Sequence, residues 1–255
     1  MSLKPEKLTK KQKNETVERL FAESAPRFDF FLMLLLSAMV VSLGLLLDNT
    51  PIVIGGMLLA PLLFPVLTLA MGIVVGDGKL IKRSGIVLFE SIVVVVFLAF
   101  VFSLFWSDKQ INNEIISRAY PNLGYFLVAL FSGVAVAYSV SRPGASEVVP
   151  GVAIAVALIP PLAVIGVAIS FFKANIILGA ISLFGLNLLG VIFGALLVFA
   201  LFRFYETKES IEKNIKKEEK EVKEIKKEKQ KEDIVALEET VKEATEVLKD
   251  KQIKK

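Results

Sequence analysis

Long apolar runs alternate with short polar loops through the middle of this chain. Between residues 28 and 202 each run is at least 18 residues long, and few charges interrupt it. A helix needs roughly 17–25 apolar residues to cross the hydrocarbon core of a bilayer. Because lipid satisfies no backbone hydrogen bonds, such runs form helices. The pattern predicts six transmembrane helices, at about 30–47, 52–75, 84–106, 123–140, 148–172 and 176–202.

Charge is segregated in the same way. The 255-residue chain has 30 basic and 26 acidic side chains, but only 14 of these lie in residues 28–202. That is too few to keep a soluble domain in water, so lipid is the expected solvent. We therefore predict a cytoplasmic N-terminal segment with a short interfacial helix (1–27), a transmembrane domain (28–202) and a charged tail (203–255).

Basic residues in the loops predict the orientation, since loops rich in Lys and Arg stay on the cytoplasmic side. The N-terminal segment and the second and fourth loops carry eleven, whereas the other three loops carry three. Both termini are therefore predicted to be cytoplasmic, in a multi-pass protein of the cell membrane. We expect a charged cytoplasmic C-terminal helix, and the heptad spacing of Ile211, Ile215, Val222 and Ile225 leaves two interpretations. The tail is either partly disordered or a coiled coil that forms a homo-oligomer.

Composition excludes several kinds of chemistry. The chain contains no His and no Cys, which rules out thiol nucleophiles, disulfides, His-bearing triads and Cys/His zinc sites. Acids nearly balance bases in the tail, which argues against nucleic-acid binding. We expect no enzyme activity, no catalytic residues, no metal centre and no cofactor; the expected partners are the lipid bilayer and a small solute or ion.

The spans repeat at a nearly constant offset. An offset of 95 aligns residues 30–32 with 125–127, and an offset of 96 aligns Pro65 with Pro161. Three spans per unit make the second unit enter the membrane from the opposite side, which defines an inverted-topology repeat. We predict an all-α polytopic bundle of two such repeats; six unrelated helices are the alternative. The predicted repeats are residues 28–106 and 123–202.

Prolines lie inside the second and fifth spans. A proline in a helix lacks an N–H group and clashes with the carbonyl four residues back. We predict that both helices are broken near mid-membrane, which at matching positions of two repeats points to a transporter's binding site. A structural kink, satisfied by neighbouring helices, is the alternative. The prolines and the carbonyls they release are Pro61 with Met57, Pro65 with Pro61, Pro160 with Val156, and Pro161 with Ala157.

Two polar side chains lie within the third and sixth spans. Glu90 is predicted either to bind a cation or a proton, or to pair with Lys82 or Arg83 near the interface. For Asn187 a hydrogen bond to another helix is favoured. The hypothetical substrate or ion site therefore consists of Met57, Pro61, Pro65, Glu90, Val156, Ala157, Pro160, Pro161 and Asn187.

These features predict a transporter of a small solute or cation, with a mid-membrane site between the broken helices. One carboxylate among carbonyls favours a cation or a proton over an anion. Two alternatives stay open: an ion or small-solute channel of the same architecture, and a non-transporting scaffold that oligomerises through its tail.

Several segments also resemble a known family, the prokaryotic "uncharacterised hydrophobic domain" proteins, or domain of unknown function 389. The resemblance covers about residues 15–205 and excludes the charged tail. One departure is Gly55-Gly56-Met57, where the family more often has Gly-Ala-Met. The resemblance implies a bacterial or archaeal integral membrane protein and supplies no substrate. The segments that carry it are 37–44, 47–48, 54–62, 132–135, 151–163 and 187–190.

Overall fold

Every regular element in the described part of the chain is helical, as predicted. The structure, a computed structural model, describes residues 8–107, 110–142 and 148–208, and of 148–153 and 156 only the backbone. The predictions for the tail beyond residue 208 lie outside the described residues. The helices are α1 (Lys10–Glu23), α2 (Phe28–Leu46), α3 (Thr50–Met57), α4 (Leu63–Val75), α5 (Gly78–Leu104), α6 (Asn113–Ile116), α7 (Leu123–Ser141), α8 (Val148–Ser170) and α9 (Ala174–Leu201), followed by a 3-10 turn (Phe204–Thr207).

Four helices of the described part, α2, α5, α7 and α9, are long and apolar enough to cross a bilayer. Helix α4 and the Ala157–Ser170 part of α8 are shorter apolar stretches. Large apolar side chains are more than half exposed on the outer faces, among them Phe89, Phe97 and Phe131. Such a surface suits contact with lipid rather than water. The chain is therefore a multi-pass membrane protein.

The predicted second span is divided between two helices. The Asn49 side chain caps the start of α3 by accepting a hydrogen bond from a backbone N–H, and Pro51 lies in the first turn, where its missing N–H costs nothing. Helix α3 ends at Met57, residues 58–62 are not helical, and α4 begins at Leu63.

The predicted fifth span is one helix. Helix α8 is continuous from Val148 to Ser170, with Pro160 and Pro161 inside it, so the prediction that it is broken at these prolines is wrong. The physical reason lies on the neighbouring helix. The carbonyl of Ala157, which Pro161 cannot satisfy, accepts a hydrogen bond of 2.8 Å from Asn187 Nδ2 of α9. A donor from outside replaces the missing one, and the helix continues.

Glycines set the closest helix contacts. A Cβ atom added to Gly133 of α7 would lie 2.3 Å from the carbonyl oxygen of Val191 in α9. At Gly166 of α8 it would lie 2.3 Å from the carbonyl oxygen of Val96 in α5. Both distances are far below van der Waals contact, so only glycine permits these two pairs of backbones to approach so closely.

Helix α1 packs on the protein. Its apolar face is buried against α4 and the 3-10 turn, with Leu20 only 1% exposed. The Thr68 hydroxyl of α4 donates a 3.0 Å hydrogen bond to the carbonyl of Leu20. Lys13 Nζ donates to Glu206 Oε2 at 2.9 Å and to the carbonyl of Arg203 at 3.1 Å. These polar anchors fix the helix to α4 and to the segment after α9.

Candidate functional site

One cavity opens beside the end of α1 and the start of α2, and we call it the α1-side cavity. Its volume is about 490 Å³. Charged side chains of Glu23, Arg27 and Asp29 contribute to one part of its wall. Leu58 and Pro61, from the non-helical segment between α3 and α4, contribute to another. The non-helical segment that interrupts the second span therefore lines this cavity.

A second cavity, of about 290 Å³, lies beside α6, and we call it the α6-side cavity. Helix α6 is fastened just beyond the other end of α2, because the Glu114 N–H donates to Asp48 Oδ1 at 3.0 Å and the Thr50 hydroxyl donates to the Glu114 carboxylate. The cavity is lined by Met57, Glu114, Ser117, Arg118, Tyr125, Val128, Ala157, Pro161, Leu183 and Asn187.

Met57 lines both cavities. The two cavities approach it from opposite ends of α2, one beside Arg27 and the other beside the loop that binds Asp48. The Met57 side chain is only 1% exposed. The last residue of α3 thus borders both spaces, next to the point where the helix is interrupted.

The structure brings part of the predicted site together. Ala157, Pro161 and Asn187 line the α6-side cavity, and Pro61 lines the α1-side cavity. The Met57 carbonyl has no donor four residues on, where Pro61 stands, but it accepts a 3.1 Å hydrogen bond from the N–H of Ala60. A tighter turn satisfies the carbonyl locally, three residues on instead of four.

Other predicted residues lie apart from these cavities. Glu90 is exposed on the face of α5 that also carries Phe89 and Phe97, and it lines neither cavity. The buried face of α5 is the opposite one, so packing turns this carboxylate away from the site. Pro65 and Pro160 are buried and line neither cavity. The side chain of Val156 lies outside the described residues.

Asn187 makes the predicted hydrogen bond to another helix, and the prediction is confirmed. The other polar atom of its side-chain amide makes no hydrogen bond within the described part of the chain. Asn187 is 3% exposed, and its Oδ1 atom is buried without a hydrogen-bond partner. A buried acceptor in this state costs about 1–3 kcal/mol until a donor reaches it.

Sequence reasoning missed the polar residues that α6 and the start of α7 contribute. Arg118 Nη1 lies 2.5 Å from Glu114 Oε2, as an ion pair rather than a well-aligned hydrogen bond, and both side chains are less than one-fifth exposed. The Tyr125 hydroxyl donates to the carbonyl of Ser117 at 3.3 Å. The available signal was the i,i+4 spacing of Glu114 and Arg118 in the loop between the third and fourth predicted spans.

Comparison with known proteins gives the family. The family model described as a domain of unknown function (DUF389) matches residues 57–193, more than half of the chain. The chain belongs to this family. All residues that line the α6-side cavity fall within the DUF389 match, whereas the charged wall of the α1-side cavity precedes it.

This DUF389 protein has a relative in an archaeon. An uncharacterized protein of Methanocaldococcus jannaschii is 32% identical over 169 residues, which is 66% of this chain and 52% of that protein. The chain thus spans about half the length of the curated relative it matches. No solved structure matches this chain.

Proposed function

We propose that this protein transports a small solute or cation across the cell membrane, with its site where the two cavities meet. The observation that carries this proposal is that Met57 lines both cavities. A transporter needs a site that is reached from each side in turn, and an interrupted helix at that site is a recurrent feature of such proteins. Residues 58–62 supply the interruption.

The proposed architecture keeps six membrane-crossing segments in two inverted three-helix units, with both termini in the cytoplasm. In it, α3 and α4 together form the second segment and α8 forms the fifth. The proposed site consists of Met57, Pro61, Ala157, Pro161 and Asn187. Glu90 is left out because it lies on the exposed face of α5.

The test is flux into liposomes that contain the purified full chain, with K⁺, H⁺, glycerol and urea as probes. A Met57→Trp variant places a larger side chain at the residue that lines both cavities, so we expect at least tenfold slower flux of whichever probe crosses. The matched control is Met39→Trp, since Met39 is half-buried on α2 and lines neither cavity. Flux equal to that of protein-free liposomes for every probe would overturn the proposal.

A channel is distinguished by concentration dependence. Met57 is buried between the two cavities, which supports alternating access more than a permanent path. We therefore expect the rate of flux to saturate as the probe concentration rises. A rate that rises linearly without saturation would favour the channel.

The scaffold hypothesis depends on the tail, which begins near the last described residues. The residues that line the two cavities all precede residue 210, so a transporter is expected to keep its flux when residues 210–255 are removed. A scaffold has no flux to keep and loses its assembly instead. The homo-oligomer stays a prediction, and light scattering of the full and shortened chains in detergent measures it directly.

A further inference from the structure

The orientation of the Asn187 amide is fixed by its surroundings. The carbonyl of Ala157 lacks the helix donor four residues on, because Pro161 has no N–H group. That carbonyl accepts only from a donor, so the nitrogen of the amide must face it, as it does at 2.8 Å. The opposite amide orientation would set two acceptors against each other. Oδ1 is consequently the atom left over, buried and without a partner in the described part of the chain.

This unused acceptor belongs to a residue in the wall of a cavity. Asn187, Ala157 and Pro161 all line the α6-side cavity, whose volume of about 290 Å³ admits a small molecule but not a large one. We infer that the α6-side cavity binds a small, electrically neutral solute that donates a hydrogen bond to Asn187 Oδ1. The inference rests on the proposed function, for which it names the class of substrate.

Charge in the α6-side cavity argues for a neutral solute. Among the described residues that line it, the carboxylate of Glu114 is paired with the guanidinium of Arg118. A wall in which the two charges pair has little net field to attract an ion of either sign. The α1-side cavity has two acids, Glu23 and Asp29, against one base, Arg27, so the preference for a neutral solute is assigned to the α6-side cavity.

Few oxygen ligands are available for a bare cation. A hard cation replaces its water shell with several oxygens, six or more for Ca²⁺ and a cage of carbonyls for K⁺. The carbonyls of Met57 and Ala157 already accept hydrogen bonds, from Ala60 and Asn187. Glu90 lies elsewhere, and the described residues contain no cluster of acidic side chains that could hold a metal ion. The site thus suits one hydrogen bond better than a coordination shell.

The experiment compares two neutral donors, glycerol and urea, with K⁺ in liposomes containing the full chain. Stopped-flow light scattering follows the neutral solutes, and an ion-sensitive dye follows K⁺. The wild-type protein is expected to carry a neutral probe, with K⁺ at the level of protein-free liposomes. This result needs no variant and therefore does not depend on how a variant folds.

Variants separate the two atoms of the amide. Asn187→Leu removes both the donor to Ala157 and the free acceptor, so its loss of flux has two explanations. Pro161→Ala combined with Asn187→Leu returns an N–H group that bonds the Ala157 carbonyl from within the helix, and only the acceptor is then missing. We expect this double variant to unfold near the wild-type temperature and to lose flux about tenfold. The control is Ser182→Ala, whose exposed hydroxyl bonds within its own helix.

The outcomes distinguish the two proposals. Background flux of all probes overturns transport, and the substrate class with it. Flux of K⁺ without glycerol or urea leaves transport standing and overturns the neutral substrate. Wild-type flux of the neutral probe in a folded double variant assigns Asn187 a structural role alone and also overturns the inference.

Discussion

Two apolar segments of this protein carry a pair of prolines, and they fold differently. In the first, helix α3 ends at Met57 and helix α4 begins only at Leu63. In the second, helix α8 continues through Pro160 and Pro161. The contrast teaches that prolines alone do not decide whether a membrane helix is interrupted. The arrangement of the lost hydrogen bonds and the donors on neighbouring helices decide it.

The spacing of the prolines sets the size of the defect. Pro61 and Pro65 are four residues apart, so one removes the bond to the carbonyl of residue 57 and the other the bond to the carbonyl of residue 61. These two bonds follow one another along the same side of the helix. The loss therefore extends over two turns. Pro160 and Pro161 are adjacent, and their loss stays within one turn. A single weakened turn is more easily repaired from outside.

A repair is present beside the continuous helix. Asn187 of α9 donates to the Ala157 carbonyl of α8. In the predicted repeat, the offset of 95 makes Ile92 of α5 the counterpart of Asn187, and an isoleucine side chain has no donor. The interrupted segment thus has the larger defect and no amide at the corresponding position.

The largest predicted effect comes from pushing α8 away from its neighbour. A Cβ atom at Gly166 would lie 2.3 Å from the Val96 carbonyl oxygen, and neither backbone has room to yield. We expect Gly166→Ala to lower the free energy of unfolding by about 3 kcal/mol, the upper end for overpacking. Denaturant-induced unfolding in detergent micelles measures this.

The control for this prediction is another helical glycine. A Cβ atom at Gly185 of α9 meets nothing within 4 Å. Gly185→Ala is expected to be neutral or to stabilise by up to about 1 kcal/mol, because alanine is the better helix former. If the two variants were equally stable, close packing would not be what holds α8 in place.

The second prediction restores the interrupted helix. Pro61→Ala with Pro65→Ala returns two N–H donors, which can bond the carbonyls of Met57 and of residue 61. Each restored hydrogen bond raises the free energy of unfolding by about 1 kcal/mol. We expect residues 58–62 to become helical, which hydrogen exchange of their amides measures as increased protection. If the proposed function holds, flux slows as well, since the interruption is lost.

Pro51→Ala is the matched control for the restored helix. Pro51 lies in the first turn of α3, where an N–H group has no helix partner in any case. Its replacement should leave the protection of residues 58–62 unchanged. Increased protection in this control, equal to that in the double variant, would mean that proline content rather than position governs the segment.

The hydrophobic pattern predicts the properties that depend on nearby residues in the chain, such as where a helix begins and ends. Helix α2 at Phe28–Leu46 and helix α9 at Ala174–Leu201 lie close to the predicted 30–47 and 176–202, because the length of an apolar run is a property of the sequence itself. Asn187 was predicted correctly for a related reason. A buried amide must find a partner, and the adjacent helices are what surrounds it. The six-span count and the inverted repeat stay predictions.

Tertiary packing decides what the pattern left open. Whether Glu90 faces the bundle or its outer surface depends on which face of α5 meets its neighbours, and apolar residues surround the whole helix. Helix α1 shows a clear apolar face, but the sequence does not say whether lipid or α4 covers it. Glu114 is held at the cavity by hydrogen bonds with Asp48 and Thr50, which are more than sixty residues away along the chain, and Arg118 pairs with Glu114.

The smallest predicted effect concerns the support of α4, the half-helix that follows the interruption. Helix α1 holds it through the Thr68–Leu20 hydrogen bond, and Lys13 in turn anchors α1 to Glu206. The hydrogen bond from Lys13 lowers the pKa of the Glu206 carboxyl. A carboxyl with a lowered pKa in the folded protein stabilises the fold above its unfolded pKa, about 4.3 for Glu.

That stabilisation is lost as the pH falls through the lowered pKa of Glu206, because protonation ends the ion pair. We therefore expect the amides of α1 to lose protection from hydrogen exchange as the pH falls below about 4.3, after correction for the intrinsic exchange rate. The effect is small because the Glu206 side chain is half exposed and water screens the pair.

Glu206→Gln should remove the pH dependence, whereas Glu15→Gln, which alters an exposed pair with Lys11 on the same helix, should keep it. Loss of protection in α1 that is unchanged by Glu206→Gln would assign the support of α4 to apolar packing alone.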